Sequence, residues 1–357
     1  MPGSTIGCIF RVTTFGESHG AGVGAVVDGV PPGLPLCEGD IQKELDRRRP
    51  GQSSVTSPRQ EADRVEILSG VFEGRTTGTP VALLIHNRDV DSSDYRRFKD
   101  KLRPGHADYT YLAKYGLRDW RGSGRASGRE TAARVAAGAV ARKLLAERGV
   151  TVSGYAAEIG GVAAGSRDLQ EVERNPVRAP DPEAAARMVE RIERARAEQD
   201  SVGGVVEVVV RGLPPGLGEP VFDKLEARLA HAVMSIGAVR GFEVGAGFAA
   251  ARMKGSEFND PYCLEEGAVR TRTNNAGGVL GGISTGEELL FRAAVRPPAS
   301  IGRRQRTVSV RGKETTVQVG GRHDPCIVPR VVPVVEAMTA IILIDLVLEL
   351  EARRPDR

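Results

Sequence analysis

The sequence predicts an α+β fold in a single domain, residues 1–357, built from two pseudo-related halves. Three observations carry that expectation. Short valine- and isoleucine-rich runs alternate with a smaller number of longer alanine-rich or apolar stretches, the pattern of strands mixed with helices. An internal echo matches Val27-Asp28-Gly29-Val30-Pro31-Pro32-Gly33-Leu34 with Val210-Arg211-Gly212-Leu213-Pro214-Pro215-Gly216-Leu217, and Asp40 and Asp223 then start helices at the same offset. No Gly/Ser-rich linker separates the halves, so one domain is retained.

Taken in order, Ile9 to Phe15 alternates and reads as a strand, and Val23 to Val27 as a second, with Gly16-Glu17-Ser18-His19-Gly20 in the turn between them. Asp40 caps a helix through Leu45 that Pro50-Gly51 ends. Val65 to Leu68 and Val81 to His86 read as strands. Gln52 to Gln60 and Asn87 to Lys101 are polar loops that could close over a ligand. The alanine-rich run after Glu130 is a helix, Val152 to Ile159 a strand, and Asp181-Pro182-Glu183 opens a helix with proline in its first turn. Val205 to Val210 reads as a strand, Asp223 to Ile236 as a helix ended by Gly237, and Glu243 to Phe248 as a strand. Asn259 to Arg272 reads as a loop, Leu289 to Val295 as a strand, and Thr307–Val310 with Thr316–Val319 as a hairpin around Gly312-Lys313. Val331 to Leu348 is the most apolar run. Pro333, Glu336 and Asp345 interrupt it, which suits a buried C-terminal helix better than a membrane span.

Composition narrows the function. A net charge of +4 is too mild for a protein that coats nucleic acid. Trp120 is the only tryptophan, so the basic stretches lack the aromatic interleaving of single-strand binders. Of 50 cationic side chains only eight are lysine, and arginine suits planar recognition of phosphate and carboxylate. Cys8, Cys37, Cys263 and Cys326 are scattered, with no paired spacing for a metal or a disulfide framework, which fits a reducing cytoplasm. The N-terminus has no charged-then-apolar signal pattern. No GxGxxG follows a strand and no GxxxxGK[ST] occurs.

The stretch from Arg118 to Arg134 carries the chemistry. Arg118, Arg121, Arg125, Arg129 and Arg134 sit among Gly122, Gly124, Gly128 and the hydroxyls of Ser123 and Ser127, and then a helix begins. A glycine loop opening a helix offers unpaired N–H groups and the positive end of the helix dipole to an anion, and arginine adds bidentate donors. The plainer alternative is an arginine-studded surface helix. Gly16-Glu17-Ser18-His19-Gly20 also satisfies GxSxG, but a nucleophile elbow needs a following helix and here a second strand follows. His19 and His106 remain as acids or bases near neutral pH. Arg322-His323-Asp324-Pro325 sets a cation, an imidazole and a carboxylate ahead of the last helix. Together these residues describe a pocket for a phosphorylated, carboxylated small molecule undergoing proton or elimination chemistry.

Phe15-Gly16-Glu17-Ser18-His19-Gly20, Asp46-Arg47-Arg48-Arg49-Pro50-Gly51, Arg103-Pro104-Gly105-His106-Ala107-Asp108, Gly124-Arg125-Ala126-Ser127-Gly128-Arg129-Glu130-Thr131 and Gly321-Arg322-His323-Asp324-Pro325 resemble the signature blocks of the chorismate synthase family. The resemblance implies a β-α-β sandwich, a homotetramer, and a lyase converting 5-enolpyruvylshikimate 3-phosphate to chorismate by 1,4-anti elimination. It implies reduced FMN without net redox change, NADPH only indirectly through flavin reduction, and a separate flavin reductase. Carried over residue by residue, it implies FMN contacts at Arg125, Ala126, Ser127, Gly237, Ala238, Gly281, Arg296, Pro297, Pro298, Ala299, Ser300 and Arg322. His19, His106 and Asp324 would be catalytic, and Arg48 and Arg134 would hold substrate or NADP. Relatives often carry a second arginine where this chain has Ser54, with Arg59 a possible substitute. A flavin-binding module without catalysis is the alternative. No metal, nucleic acid or membrane partner is implied.

Overall fold

The computed structural model describes residues 3–52, 61–88, 93–320 and 324–353. The chain opens with β1 (Thr5–Ile6), β2 (Arg11–Gly16) and β3 (Gly22–Asp28), then α1 (Glu38–Arg48) and β4 (Val65–Ile67). A small hairpin, β5 (Val71–Phe72) and β6 (Arg75–Thr76), leads into β7 (Val81–His86). Antiparallel pairing gives a five-stranded sheet in the order β1-β2-β3-β7-β4. Next come α2 (Asp108–Tyr115), two 3-10 turns at Gly124–Ala126 and Gly128–Glu130, and α3 (Thr131–Ala146).

The remainder of the chain builds a second sheet. Its strands are β8 (Thr151–Ile159), β9 (Val162–Ala163), β10 (Gly204–Arg211), β11 (Val239–Val244) and, later, a strand at Leu289–Val295. Between them lie α4 (Pro182–Ala197), α5 (Leu225–Met234), the short α6 (Gly255–Phe258), a hairpin of β12 (Tyr262–Glu265) and β13 (Ala268–Thr271), and a tight hairpin of β14 (Val279–Leu280) and β15 (Ile283–Ser284). With β16 the Leu289–Val295 strand, the sheet order is β11-β16-β10-β8-β9. The chain ends with the hairpin β17 (Gln305–Val308) and β18 (Glu314–Val317) and the long α7 (Val328–Arg353).

Helix α3 packs on β2, β3 and β7, helix α7 packs on β8 and β10, and the two helices pack on each other. The layers are therefore sheet, helices, sheet, with most of the buried apolar side chains in one continuous core. Helix α7 is long and apolar enough to cross a membrane, but its apolar window is wholly buried between the sheets. Its two buried carboxylates have partners. Glu336 accepts from Arg47, Arg142 and the Gly154 N–H, and Asp345 from Arg228 and the N–H groups of Cys8, Ile9 and Phe10.

The two Pro-Pro-Gly bends are built alike. Gly29 and Gly212 have φ of 79° and 77°, and Gly33 and Gly216 have 89° and 106°, values that favour glycine. The Thr76 hydroxyl accepts from Leu34 N–H at 3.0 Å and donates to Pro31 O at 2.7 Å. Ser284 does the same with Leu217 and Pro214, at 2.9 and 2.6 Å.

Several sequence expectations shift. Asp40 is not the cap of α1. Cys37 is, and Asp40 sits three residues on, its carboxylate accepting the Cys37 N–H at 3.0 Å. Asp223 likewise precedes a helix that starts at Leu225 after Lys224. The strand expected at 243–248 runs from Val239 to Val244, because a bulge at Arg240 breaks the alternation the sequence would show. The expected loop at 259–272 contains the β12–β13 hairpin, whose turn places Glu266 and Gly267 at φ 50° and 80°. Glu-Gly is a weaker turn signal than Asn-Gly. Most of the Gln52–Gln60 loop lies outside the described residues, with Ser54 and Arg59 in it.

The α3–α7 contact is closest at Gly138, where an added Cβ would lie 2.3 Å from Ala337 Cβ and 2.6 Å from its Cα. Gly138→Ala therefore costs about 1–3 kcal/mol of stability through overpacking, despite alanine's better helix propensity. A denaturant midpoint equal to or above that of the parent chain would refute the close approach.

Candidate active site

A cavity of about 1200 Å³ opens where α1, the two 3-10 turns before α3, the C-terminal end of α5, the segment after β16 and the start of α7 converge. Nine cationic side chains line it: Arg48, Arg103, Lys114, Arg125, Arg129, Arg134, Arg240, Arg296 and Arg330. Among the described residues only three carboxylates do, Glu61, Glu130 and Asp324. Such a surplus calls for a polyanionic ligand.

Two buried carboxylates set behind the wall hold the arginines in place. Asp63 accepts from Arg48 Nη2 at 2.7 Å and pairs with Arg129 on its other oxygen. Burial alone would raise the Asp63 carboxyl, but the two guanidinium groups hold it below the usual carboxylate range. Arg48 is fully buried, and burial pushes it down to about 10 against the pull of Asp63. Its Nη1 donates to Gly128 O at 3.1 Å and Thr131 Oγ1 at 3.2 Å, and among the described residues its buried Nε finds no acceptor. Asp108 forms the second hub, taking Arg103 through both oxygens at 2.8 Å and Arg118 at 2.9 Å.

His106 sits on that hub. Its Nδ1 is 3.2 Å from Asp108 Oδ1, a close contact but off-axis for a straight hydrogen bond, since Nδ1 has no well-directed acceptor. Its Nε2 is 2.9 Å from Ser123 Oγ. Burial pushes the imidazole below 6.5, Asp108 opposes the shift, and Arg103 and Arg296 add to it. His106 is therefore neutral at pH 7. The folded chain holds it neutral while the unfolded chain protonates it, so its contribution to stability falls as pH drops below 6.5 toward its lowered value.

The other expected residues divide into two groups. Ala126, Ser127, Gly237, Ala238, Pro298, Ala299 and Ser300 line the cavity, as do Arg125, Arg296 and Asp324. Ala238 holds φ at 75° without being glycine, a strained conformation of the kind found at ligand sites. Arg125 donates to Thr14 Oγ1 at 2.7 Å, and Arg134 is tied to Glu130 and to Ser235. Asp324 is held by Arg330 at 2.5 Å. His19 is buried just behind the wall. Its Nδ1 lies 3.0 Å from Ser18 Oγ, its ring meets Tyr95 edge-on, and a Cβ on Gly122 would strike its Cε1 at 2.0 Å. Pro297 and Gly281 are not among the lining residues, and Gly281 lies at the tip of the β14–β15 hairpin. Arg322 and His323 lie outside the described residues. Gly16-Glu17-Ser18-His19-Gly20 occupies the β2–β3 turn with no helix after it, so Ser18 is not at a nucleophile elbow.

Asp63, Arg240 and Arg330 were not foreseen. Asp63 has φ of 46° and sits directly after a polar stretch, so neither periodicity nor composition marks it. Arg330 lies within one helical turn of the start of α7, six residues after its partner.

A sheet–helix–sheet protein with a neutral histidine and a large arginine excess in one cavity is a member of the class that binds and transforms polyanionic small molecules. The comparisons make this specific. The chorismate synthase family model matches residues 10–348. The chain is 58% identical over 346 residues to a chorismate synthase of Chloroflexus aurantiacus, covering 97% of this chain and 95% of that one. It is 57% identical over 350 residues to one of Methanosarcina barkeri, covering 97% and 96%. A crystal structure of chorismate synthase matches with a TM-score of 0.78 at 34% identity, over 97% of this chain and 93% of that one. The chain belongs to the chorismate synthase family. It is a carbon–oxygen lyase that eliminates phosphate from 5-enolpyruvylshikimate 3-phosphate to give chorismate, a step of the shikimate pathway toward aromatic amino acids.

An anion entering the cavity should offset Arg103 and Arg296 and raise the proton affinity of His106. Its Cε1–H resonance is expected to titrate below 6.5 in the free protein and to move upward when inorganic phosphate is added. A midpoint unmoved by saturating phosphate would separate His106 from the anion site.

Proposed function

We propose that the arginine-lined cavity is the active site of this lyase and that it takes the substrate together with reduced FMN. One observation carries the reading: His106, Asp324 and nine cationic side chains from distant segments line one cavity. Its volume of about 1200 Å³ exceeds the roughly 300–1,000 Å³ of an ordinary single-ligand site, which leaves room for a substrate beside a flavin. The positive surplus suits the phosphate and two carboxylates of the substrate and the phosphate of the flavin. The orphaned Arg48 Nε is a donor waiting for an acceptor.

Ala126 and Ser127 precede α3, where N–H groups and the helix dipole favour an anion. With Arg125, Gly237, Ala238, Arg296, Pro298, Ala299 and Ser300 they would hold FMN. Gly281, Pro297 and Arg322 are retained as flavin contacts on the family resemblance alone. Bound reduced FMN would supply an electron transiently to help expel phosphate and recover it, leaving no net redox change. Arg48 and Arg330 would neutralise the departing phosphate and the ring carboxylate, through charge-assisted bonds of about 1.5–3 kcal/mol each. Arg134 is already committed to Glu130 and Ser235, so it would reach substrate only by exchanging those partners. His106, neutral in the free site, would take up a proton as anions fill the cavity and deliver it at the wall. His19 would act from behind Gly122, and Asp324, oriented by Arg330, would accept a proton.

We also read the chain as one domain whose halves are related copies. The matching hydrogen bonds of the two bends support this, as does the way the sheet order β1-β2-β3-β7-β4 parallels β9-β8-β10-β16-β11. Exposed Phe222, Phe248, Tyr262, Leu264 and Val269 support assembly into a homotetramer. The four free cysteines suit the cytoplasm. NADPH would act only through a separate flavin reductase.

Two experiments test the reading. Anaerobic turnover with photoreduced FMN should release phosphate and chorismate without NADPH. Oxidised FMN with NADPH should give none until a reductase is added, and product in that second case would mean that the chain reduces its own flavin. His106→Ala should keep FMN binding and lose about 10²–10⁴-fold in kcat, and parental turnover in that variant would remove His106 from the reaction.

A further inference from the structure

The Gly122-Ser123-Gly124 turn holds three successive residues in the left-handed region, at φ of 75°, 94° and 52°. Glycine reaches such angles freely, but serine pays for them. The conformation of Ser123 therefore asks for a reason, and its hydroxyl supplies one. Ser123 Oγ accepts from Arg103 Nη2 at 2.9 Å and lies 2.9 Å from His106 Nε2. Arg103 is itself fixed, since two of its nitrogens are bound to Asp108 at 2.8 Å.

A guanidinium can only donate. Arg103 therefore fills one lone pair of the Ser123 oxygen, which leaves its hydrogen or its second lone pair to meet Nε2, and the carboxylate beside Nδ1 decides for the hydrogen. We propose that Ser123 is a positioning residue that locks His106 in the Nδ1–H tautomer, so that Nε2 is the atom that takes up and hands over the proton.

The groups around the ring agree. Asp108 Oδ1 lies 3.2 Å from Nδ1, off the axis of a straight hydrogen bond, and its negative charge favours a hydrogen there over a bare nitrogen. Arg103 and Arg296 face the ring as cations from the same loop and from the segment after β16, and both oppose a second proton. Arg118 and Arg103 donate to the same oxygen of Asp108 at 2.9 and 2.8 Å, so its charge is shared between the two guanidinium groups and the ring. Which imidazole nitrogen carries the hydrogen is set by the partner of the other one, and here both partners point the same way. When His106 is protonated, Nε2–H and Arg103 together occupy the Ser123 oxygen, and its own hydrogen must turn to a third acceptor. Ser123 lines the cavity, so an anion there is that acceptor. Protonation of His106 is thereby coupled to the presence of the ligand.

The proposal rests on His106 being the acid of the reaction, but its test does not need turnover. Long-range ¹⁵N–¹H spectra of histidine-labelled, ligand-free protein should show His106 protonated at Nδ1 and bare at Nε2, above the pH of its titration. Ser123→Gly removes the hydroxyl and relieves the left-handed strain, so the variant should unfold no earlier than the parent. In it the hydrogen should shift toward Nε2, and the acid limb of the kcat/KM–pH profile should rise by about half a unit or more, because the donor that stabilised the neutral ring is gone. An Nε2–H tautomer in the parent protein overturns the proposal, and so do ring nitrogen shifts unchanged by Ser123→Gly. Loss of turnover in His106→Ala with no tautomer change in Ser123→Gly would keep the acid and discard the lock.

Discussion

Packing many guanidinium groups around one space is electrostatically unfavourable, and the site depends on how that repulsion is held in check. Two like charges 4 Å apart repel by roughly 4 kcal/mol at an effective dielectric of about 20. Asp63 and Asp108 set the balance. Each takes two arginines on its two oxygens from behind the wall, neutralising part of the charge and fixing the direction of those four forks. The balance is deliberately incomplete. Among the described residues, Arg240 and Arg296 meet no carboxylate, and Arg48 keeps one donor without an acceptor. A ligand of matching charge completes what the protein leaves open.

That arrangement needs a rigid frame. The cavity draws its residues from α1, the turns before α3, the end of α5, the segment after β16 and α7. These elements stay in register because α3 and α7 are pressed together between two sheets, with Gly138 allowing the backbones to meet. The ionic ties of α7 run the same way. Glu336 binds Arg47, next to Arg48, and Arg330 donates to Arg48 O at 3.2 Å. The core helix and the ligand wall are thus fastened at the same point, and a shift in either would misplace several arginines together.

His106 illustrates how placement changes chemistry. Alone, it would be a histidine near its ordinary proton affinity. Burial and two neighbouring cations hold it neutral, and Asp108 keeps it from being too weak a base to use. In the proposed reaction a proton would be gained when an anion arrives rather than stored beforehand. This avoids adding one more positive charge to an empty, already cationic cavity.

Much of this was legible in the sequence. Strong local patterns marked the strands Val81–His86 and Leu289–Val295, and Pro182 behind Asp181 marked α4. The repeated Pro-Pro-Gly bends declared themselves because glycine and proline each serve a specific backbone angle there. The glycine- and arginine-rich stretch pointed to a pocket wall, and residues within it from Gly122 to Arg134 do contribute to the cavity lining. The sequence could not tell which arginines remain available and which are consumed. Arg134 looks like Arg48 in a string of letters, yet one is tied to Glu130 and Ser235 and the other sits buried with a spare donor. Nor could it reveal that Asp63 and Asp108 serve as the hubs, or that Ser123 faces His106, because those contacts join residues 5 to 66 positions apart across irregular loops that have no periodicity to read. Local chemistry follows from neighbouring residues in the chain, whereas charge balance and proton position follow from distance in space, which only the folded chain fixes.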